Sequence, residues 1–506
     1  MFKAVSVVAL TASLPVAAFG QALDPTALRP VGKVSERFQS YNVEMVEVTG
    51  GRFWKPYKFG PPANQADRYR YRPPIDLSNA KLRMLARALG PAFIRVSGTW
   101  ANTTWFADAD AEGAPKPPKG FEATLTRAQW RGVVDYARAV DGEIVTSFAG
   151  SAGARDAAGV WRPEQMQSLI DFTRSLGGRI AAAEFLNEPN LVSLTGGPAN
   201  YDAGAYGRDW DRFAAEFRRA APGALLLGPG SVGESGSIEA LAAAAKIRLL
   251  PSAQMLKAAS VRPDVISYHH YAAMSERCGR GTPLSTSLDQ AGMPAFLDRS
   301  ARSAAFYAGL RDRYAPGAPI WLTETGQAAC GGDRWASTFA DTPRYVDQMG
   351  LLARSGVQVV MHNTLAASDY ALLDEETFDP RPNYWAALLW ARLMGDTVLD
   401  ATGSPTVRTY AHCMRGRRGG VVLLAINTGT ATDLALRGGG RARSYILTGT
   451  GERGIALNGR MLALRDGKLP QLDPSPSSGT SVRLPAASVA FVALPDTGNA
   501  ACSMAT

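Results

Sequence analysis

Between about residues 37 and 395 the chain alternates short β-branched or aromatic runs with longer amphipathic stretches, and this alternation restricts the fold more than any other feature. Eight apolar runs are found, at 38–48, 93–97, 144–149, 180–187, 225–227, 265–271, 320–324 and 357–364. Helical patterns separate them, for example at 79–89, 127–140, 163–176 and 206–221, with Ser78 and Thr126 as candidate caps. Eight strand-helix units predict an α/β fold, a (β/α)8 TIM barrel over 37–395, in preference to an open sheet. Past 395 the helical period stops. Short strands at 407–413, 420–427, 443–447, 455–457 and 487–494, set between Gly-rich turns, predict a C-terminal antiparallel β-sandwich domain over 396–506. Residues 24–36 are expected to join that sandwich, and 108–120 to form a long loop after the second strand.

The first 20 residues have the form of an export signal: Lys3, then an almost wholly apolar or small stretch interrupted by Pro15, then small residues around Gly20. The stretch is short for a membrane span, so a secreted or periplasmic protein with no membrane segment is expected. Export permits disulfides among the 4 Cys. The formal charge of +9 is concentrated in residues 401–506, which hold 12 Arg and Lys against 5 Asp and Glu. No basic helix or basic-aromatic alternation accompanies it, so a solvated basic surface is expected and a nucleic-acid partner is not.

In a barrel of this kind the C-terminal ends of the strands converge on one mouth, so polar residues ending strands are the first candidates for chemistry. The fourth run ends in Asn187-Glu188-Pro189-Asn190 and the seventh in Thr323-Glu324-Thr325. Two carboxyls facing each other across one mouth suit glycoside hydrolysis, in which one protonates the leaving oxygen and the other attacks or stabilises the anomeric centre. Glu184, four residues before Glu188, is expected to be a buried partner of Arg95 or another base. His269 and His270, adjacent on a strand, point to opposite faces; with no third ligand at suitable spacing, no metal site is expected, and no cofactor.

With the segment 81–87, the run 95–99, Asn187-Glu188-Pro189-Asn190, His269-His270-Tyr271, Glu324-Thr325, Tyr370, Phe378-Asp379-Pro380 and Asn383-Tyr384-Trp385, the chain resembles the heparanase and β-glucuronidase group of retaining glycoside hydrolases over most of its length. The resemblance implies hydrolysis of β-D-glucuronosyl linkages in an acidic polysaccharide or glucuronide, with Glu188 as general acid/base and Glu324 as nucleophile, about 5 to 5.5 Å apart. It implies that Tyr271 hydrogen-bonds the nucleophile and that Asn187 reads the sugar's 2-hydroxyl. Glu44, Thr99 and His270 join the substrate-binding set, and Gly331 and Tyr370 match positions used for the glucuronate carboxylate. Cys330 stands where the family pattern more often has Gly.

A Cys413–Cys502 disulfide tying the tail to its last strand is likewise implied by the resemblance, while Cys278 and Cys330, following the sixth and seventh strands, form a second candidate pair that requires Cα atoms within about 7 Å. Glu234 and Glu276 stand where animal heparanases carry polar and basic residues, and acids there are expected to repel sulfate. An exo-acting β-glucuronidase is therefore a rival to an endo-acting one, and a non-catalytic carbohydrate-binding protein is the reading from another class. The sequence leaves the oligomeric state open. Gly228-Pro229-Gly230-Ser231-Val232-Gly233 matches a dinucleotide-loop pattern but lacks the acidic residue about 20 positions on.

Overall fold

The computed structural model describes residues 22–110, 113–234, 249–403, 407–438 and 440–503. The export signal expected at residues 1–20 lies outside the described residues. Eight parallel strands close into a barrel in chain order: β1 (Gln39–Glu44), β2 (Ala92–Ser97), β3 (Gly142–Thr146), β4 (Ile180–Glu184), β5 (Leu225–Val232), β6 (Val265–Tyr271), β7 (Ile320–Gly326) and β8 (Val357–His362). Alternation along each strand sorts the residues between two cores. On β2, Phe93 points inward, where its ring lies 4.7 Å from that of Trp321 among Val145, Leu227, Val265, Val359 and Met361. Ile94 and Val96 point outward into the layer shared with the helices. The apolar inner core fills the lower barrel and leaves the polar strand ends to the mouth.

The helices follow from amphipathic spacing and local caps. Arg127–Ala139 begins at Thr126, whose hydroxyl accepts from Gln129 N while the Gln129 side chain returns to Thr126 N, two otherwise orphaned donors satisfied together. For Ala80–Ala88 the cap is Asn79 and not Ser78: Asn79 Oδ1 accepts from Leu82 N at 3.1 Å, whereas the Ser78 hydroxyl is engaged with Asp76. Four strands end earlier than their apolar runs, those at 38–48, 144–149, 180–187 and 357–364. The run starting at 38 turns into a short helix, Met45–Thr49, and the run at 180–187 leaves the sheet after Glu184.

The C-terminal region is a nine-stranded antiparallel sheet with a two-stranded sheet beside it. Pro30–Lys33 pairs antiparallel with Met394–Leu399, which carries the edge of the large sheet to the N-terminal segment. The strand Val421–Asn427 is buried along its whole length because both faces are covered. Val422, Leu424 and Ile426 pack toward the barrel with Tyr345 and Trp390; Val421, Leu423 and Ala425 pack away from it with Leu434, Val482 and Leu484 of the small sheet. Cys413 and Cys502 are bonded, with Cα atoms 5.3 Å apart. Among the described residues no helix is long and apolar enough to cross a membrane.

Candidate active site

Strand β7 delivers Glu324 to the centre of the mouth. Its Oε1 accepts from the Tyr271 hydroxyl at 2.8 Å and its Oε2 from Arg95 Nη1 at 2.9 Å. Arg95 is fully buried on β2 and makes three further hydrogen bonds: Nε and Nη2 donate to Glu184 Oε2 at 3.0 and 2.8 Å, and Nη2 to Asn187 Oδ1 at 2.8 Å. A charge this deep is tolerable only when paired and fully hydrogen-bonded. Burial works against ionising Glu184, yet the Arg95 charge and hydrogen bonds from His269 and Thr323 hold its carboxyl well below the usual range.

Glu188 reaches the mouth by another route. The backbone after β4 turns through Phe185-Leu186-Asn187 and places Glu188 itself at φ 49°, ψ 58°, the left-handed region, before Pro189 opens a 3-10 helix. A non-glycine residue in that conformation costs about 1 kcal/mol or more and points to a position over-determined by its surroundings. Here Asn102 supplies the surroundings: its side chain accepts from Asn187 N at 3.0 Å and donates to Asn187 O at 2.8 Å, gripping the backbone one residue before the acid. Burial and the nearby Glu324 charge push the Glu188 carboxyl up from its ordinary value, against a hydrogen bond from His269.

The imidazole of His269 completes the group, with Nδ1 3.1 Å from Glu188 Oε1. Burial disfavours its charge, but Glu324, Glu184 and Glu188 around it outweigh burial and Arg95 and raise its pKa to about 9. One ligand atom each from Glu188, His269 and Glu324 all lie within 4.8 Å of one another. Sequence spacing gave no third ligand beside the histidines, and the fold provides two carboxylates. Arg95 already sets one positive charge against Glu324 in this group.

His270 is a correction. Its Nδ1 lies 2.8 Å from the Ser303 hydroxyl, in the helix Arg299–Tyr314 outside the barrel, and burial lowers its pKa to about 3. The reason is strand alternation: residues two apart share a face, so it is His269 that accompanies Tyr271 into the mouth. The remaining candidates gather at one sector of the rim. Glu44 ends β1, with Oε1 accepting from Asn363 Nδ2 at 2.9 Å; the same nitrogen lies 3.0 Å from the Tyr271 and 3.1 Å from the Tyr370 hydroxyl oxygen. Burial, then the Glu324 charge, holds the Glu44 carboxyl well above its ordinary value. Thr99 is partly exposed at the start of the turn after β2.

Gly331 has φ +84°, and its carbonyl accepts from the Ser368 hydroxyl and from Asp369 and Tyr370 N–H groups at 3.0 to 3.3 Å. Its own N–H has no partner among the described residues. Three more buried polar atoms around the mouth lack partners: Asn187 Nδ2, Glu44 Oε2 and Asn363 Oδ1. Donors and acceptors left unpaired in one concavity are what a polyhydroxylated ligand satisfies. Cys278 and Cys330 are bonded, with Cα atoms 6.4 Å apart, so the connections after β6 and β7 are clamped together next to Gly331.

The acids expected to repel sulfate do not present free charge. Glu234 is buried, accepting from Ser252 N at 2.6 Å and from the Tyr307 hydroxyl at 3.1 Å. Glu276 is paired with Arg334 at 2.8 Å and Arg280 at 3.7 Å. Sequence reasoning missed Asn102, Asn363 and the contact of Arg95 with Glu324. Only the pairing of Arg95 with Glu184 was foreseeable, as the demand of one buried charge for another.

A closed parallel barrel with two acids at its mouth, one just after β4 and one on β7, is the arrangement of a glycoside hydrolase. By sequence the chain is similar to heparanases and heparanase-like proteins. It is 29% identical to heparanase-like protein 1 of Arabidopsis thaliana over 72% of this chain and 66% of that protein, and 27% identical to the heparanase of Bos taurus over 94% and 91%. It is 32% identical to the hyaluronoglucuronidase of Hirudo nipponia over 36% of this chain and 42% of that protein. No family model matches the chain. Among solved structures, the fold is shared with a family 51 arabinofuranosidase from Xanthomonas axonopodis pv. citri (TM-score 0.59, 16% identity, 92% of this chain and 98% of that one). It is shared as well with a 4-O-α-L-rhamnosyl-β-D-glucuronidase from Fusarium oxysporum (TM-score 0.60, 15% identity, 94% and 99%).

Proposed function

We propose that the chain is an exported retaining β-glucuronidase, hydrolysing β-D-glucuronosyl linkages in glucuronic-acid-containing glycosaminoglycans or glycoconjugates. The observation that carries this reading is the approach of Glu188 and Glu324 to within 4.8 Å, oxygen to oxygen, with different surroundings. Double displacement needs carboxyls at about 5 to 5.5 Å, whereas inversion leaves about 6.5 to 9.5 Å for a water. Glu324, held by Arg95 and Tyr271, is the nucleophile. Its oxygen bonds to the anomeric carbon as the glycosidic C–O bond breaks, and Glu188 gives its proton to the departing oxygen. Water then attacks the same carbon, giving its proton to Glu188 and releasing Glu324. Esterification of Glu324 removes the charge that raises Glu188, so the same residue changes from acid to base.

Glucuronate is favoured by the rim. The unpartnered N–H of Gly331 and the Tyr370 hydroxyl can hold a carboxylate without a full counter-charge, and Asn187 Nδ2 offers a donor to the 2-hydroxyl. The names of the heparanase and hyaluronoglucuronidase relatives support an acidic polysaccharide. Replacing Glu324 by Gly tests the assignment: turnover of an aryl β-glucuronide should vanish and return with azide, as the α-glycosyl azide. Undiminished activity without azide ends the proposal. A protein that only binds carbohydrate would fail to turn over the same substrate as wild type.

A further inference from the structure

Residues 45–79, between β1 and the first barrel helix, form a long connection for a barrel of this type. After the helix Met45–Thr49 they fold into a hairpin, Gly51–Trp54 paired antiparallel with Tyr69–Arg72. The hairpin and its tip are fixed to the connections following three other strands. Tyr57 N donates to Asp369 at 3.0 Å, and Lys58 pairs with Asp374 at 3.1 Å, both after β8. Arg277, buried after β6, donates to Lys55 O and Cys330 O, each at 2.9 Å, pairs with Asp369 and lies 4.0 Å over the Tyr57 ring. After β7, Gly331 is so close that a Cβ added to it would stand 2.6 Å from Trp54 Cβ.

The hairpin's aromatic residues form a wall. Trp54 stacks on Tyr69 with centroids 4.7 Å apart and meets Trp100 edge-on at 6.3 Å. Phe53, buried with Val46 and Ala367, backs them, 5.0 Å from Trp100. Trp54 therefore adjoins Gly331, and Trp100 follows Thr99 directly in the chain.

The position of this wall relative to the substrate follows from the glucuronidase reading, on which the inference rests. Glu188, in the turn after β4, marks the side from which the leaving group departs. Gly331, Tyr370, Glu44 and Thr99, from β7, β8, β1 and β2, mark the other end of the sugar. On a glucuronosyl ring the carboxylate on C5 is next to O4, so whatever holds the carboxylate also stands beside O4. In a chain linked through O4, the preceding sugar would occupy the place where Trp54 and Trp100 stand.

We infer that the hairpin 51–72 with Trp54 and Trp100 closes the non-reducing end of the site, so that the enzyme removes terminal glucuronosyl units and rejects those carrying a substituent on O4. The test compares 4-nitrophenyl β-D-glucuronide with its 4-O-methyl ether. It also uses an unsulfated octasaccharide of alternating glucuronate and N-acetylglucosamine, capped by N-acetylglucosamine at its non-reducing end. Wild type should hydrolyse the free 4-hydroxyl substrate, with kcat/KM at least about 100-fold lower for the ether, and leave the capped octasaccharide intact. The double variant W54A/W100A should narrow the difference between the two aryl substrates by about tenfold or more, a ratio that a general loss of folded protein does not move. Equal wild-type turnover of both aryl substrates, or mid-chain fragments from the capped octasaccharide, would overturn the inference and leave the glucuronidase reading standing. Failure to hydrolyse either aryl substrate would remove the glucuronidase reading and the inference with it.

Discussion

The Tyr271 hydroxyl donates to Glu324 Oε1 at 2.8 Å across the β6–β7 pair. Burial and the Glu324 charge raise the phenol pKa well above its ordinary value, so the proton stays on tyrosine. Tyr271→Phe removes one hydrogen bond to a charged group, about 1.5 to 3 kcal/mol, and leaves the ring stacked on Tyr370. We expect kcat on an aryl glucuronide to fall by about 10- to 100-fold with little change in Tm.

On the proposed mechanism, Glu188 sets the alkaline side of the pH dependence of kcat/KM. Its raised carboxyl must be protonated for the first step, so activity is present below that raised pKa and lost as pH rises through it. The hydrogen bond from His269 opposes this elevation. His269→Gln should therefore move the alkaline limb to higher pH, which a pH–rate profile on the aryl substrate will show; an unmoved limb would mean that the imidazole does not act on Glu188.

Stability should respond to pH with the same signs. Glu44 and Glu188 have folded pKa values above the ordinary 4.5, so the folded state holds protons that the unfolded chain has lost, and stability declines as pH rises from 4.5 through their raised values. Glu184 and Asp374 are depressed, and the stability they contribute is present above their ordinary values and lost as pH falls through their folded ones. Thermal melts of Glu44→Gln against wild type should show a smaller decline between mildly acidic and neutral pH.

Gly98 turns the chain from β2 into the mouth at φ +94°, and a Cβ there would stand 1.6 Å from Glu44 Oε2. Gly98→Ala combines a left-handed conformation with a clash against a buried carboxylate, each about 1 to 3 kcal/mol. We expect a lower Tm together with loss of activity, since Glu44 must leave its contact with Asn363 to make room. A variant with wild-type Tm and activity would refute the close approach.

Much of the fold was legible because its two periodicities are local properties. Alternation along strands and amphipathic helices between them identify eight strand-helix units, and their loss after residue 395 marks the change to sheet. The acids Glu188 and Glu324 were legible for a related reason: polar residues that end an apolar run lie at or just past the end of its strand, and in a barrel these ends share one mouth. His270 shows the limit of reading by motif, since alternation assigns His269 to the face of Tyr271 whatever the resemblance implies. Glu234 shows another, because a carboxylate's effect depends on whether it is buried against Ser252 and Tyr307 or open to a ligand.

The sequence by itself determined which residues form strands and helices and which side chains end the strands, because those follow from spacing within a dozen residues. Only the tertiary structure decided the environment of each charge. Arg95 meets Glu184 and Glu324 from positions 89 and 229 residues away, and Asn363 gathers Glu44 and Tyr271 from the ends of β1 and β6 and Tyr370 from the connection after β8. Electrostatic energy depends on distance and burial in space, and closure of the barrel brings together charges that the chain keeps far apart.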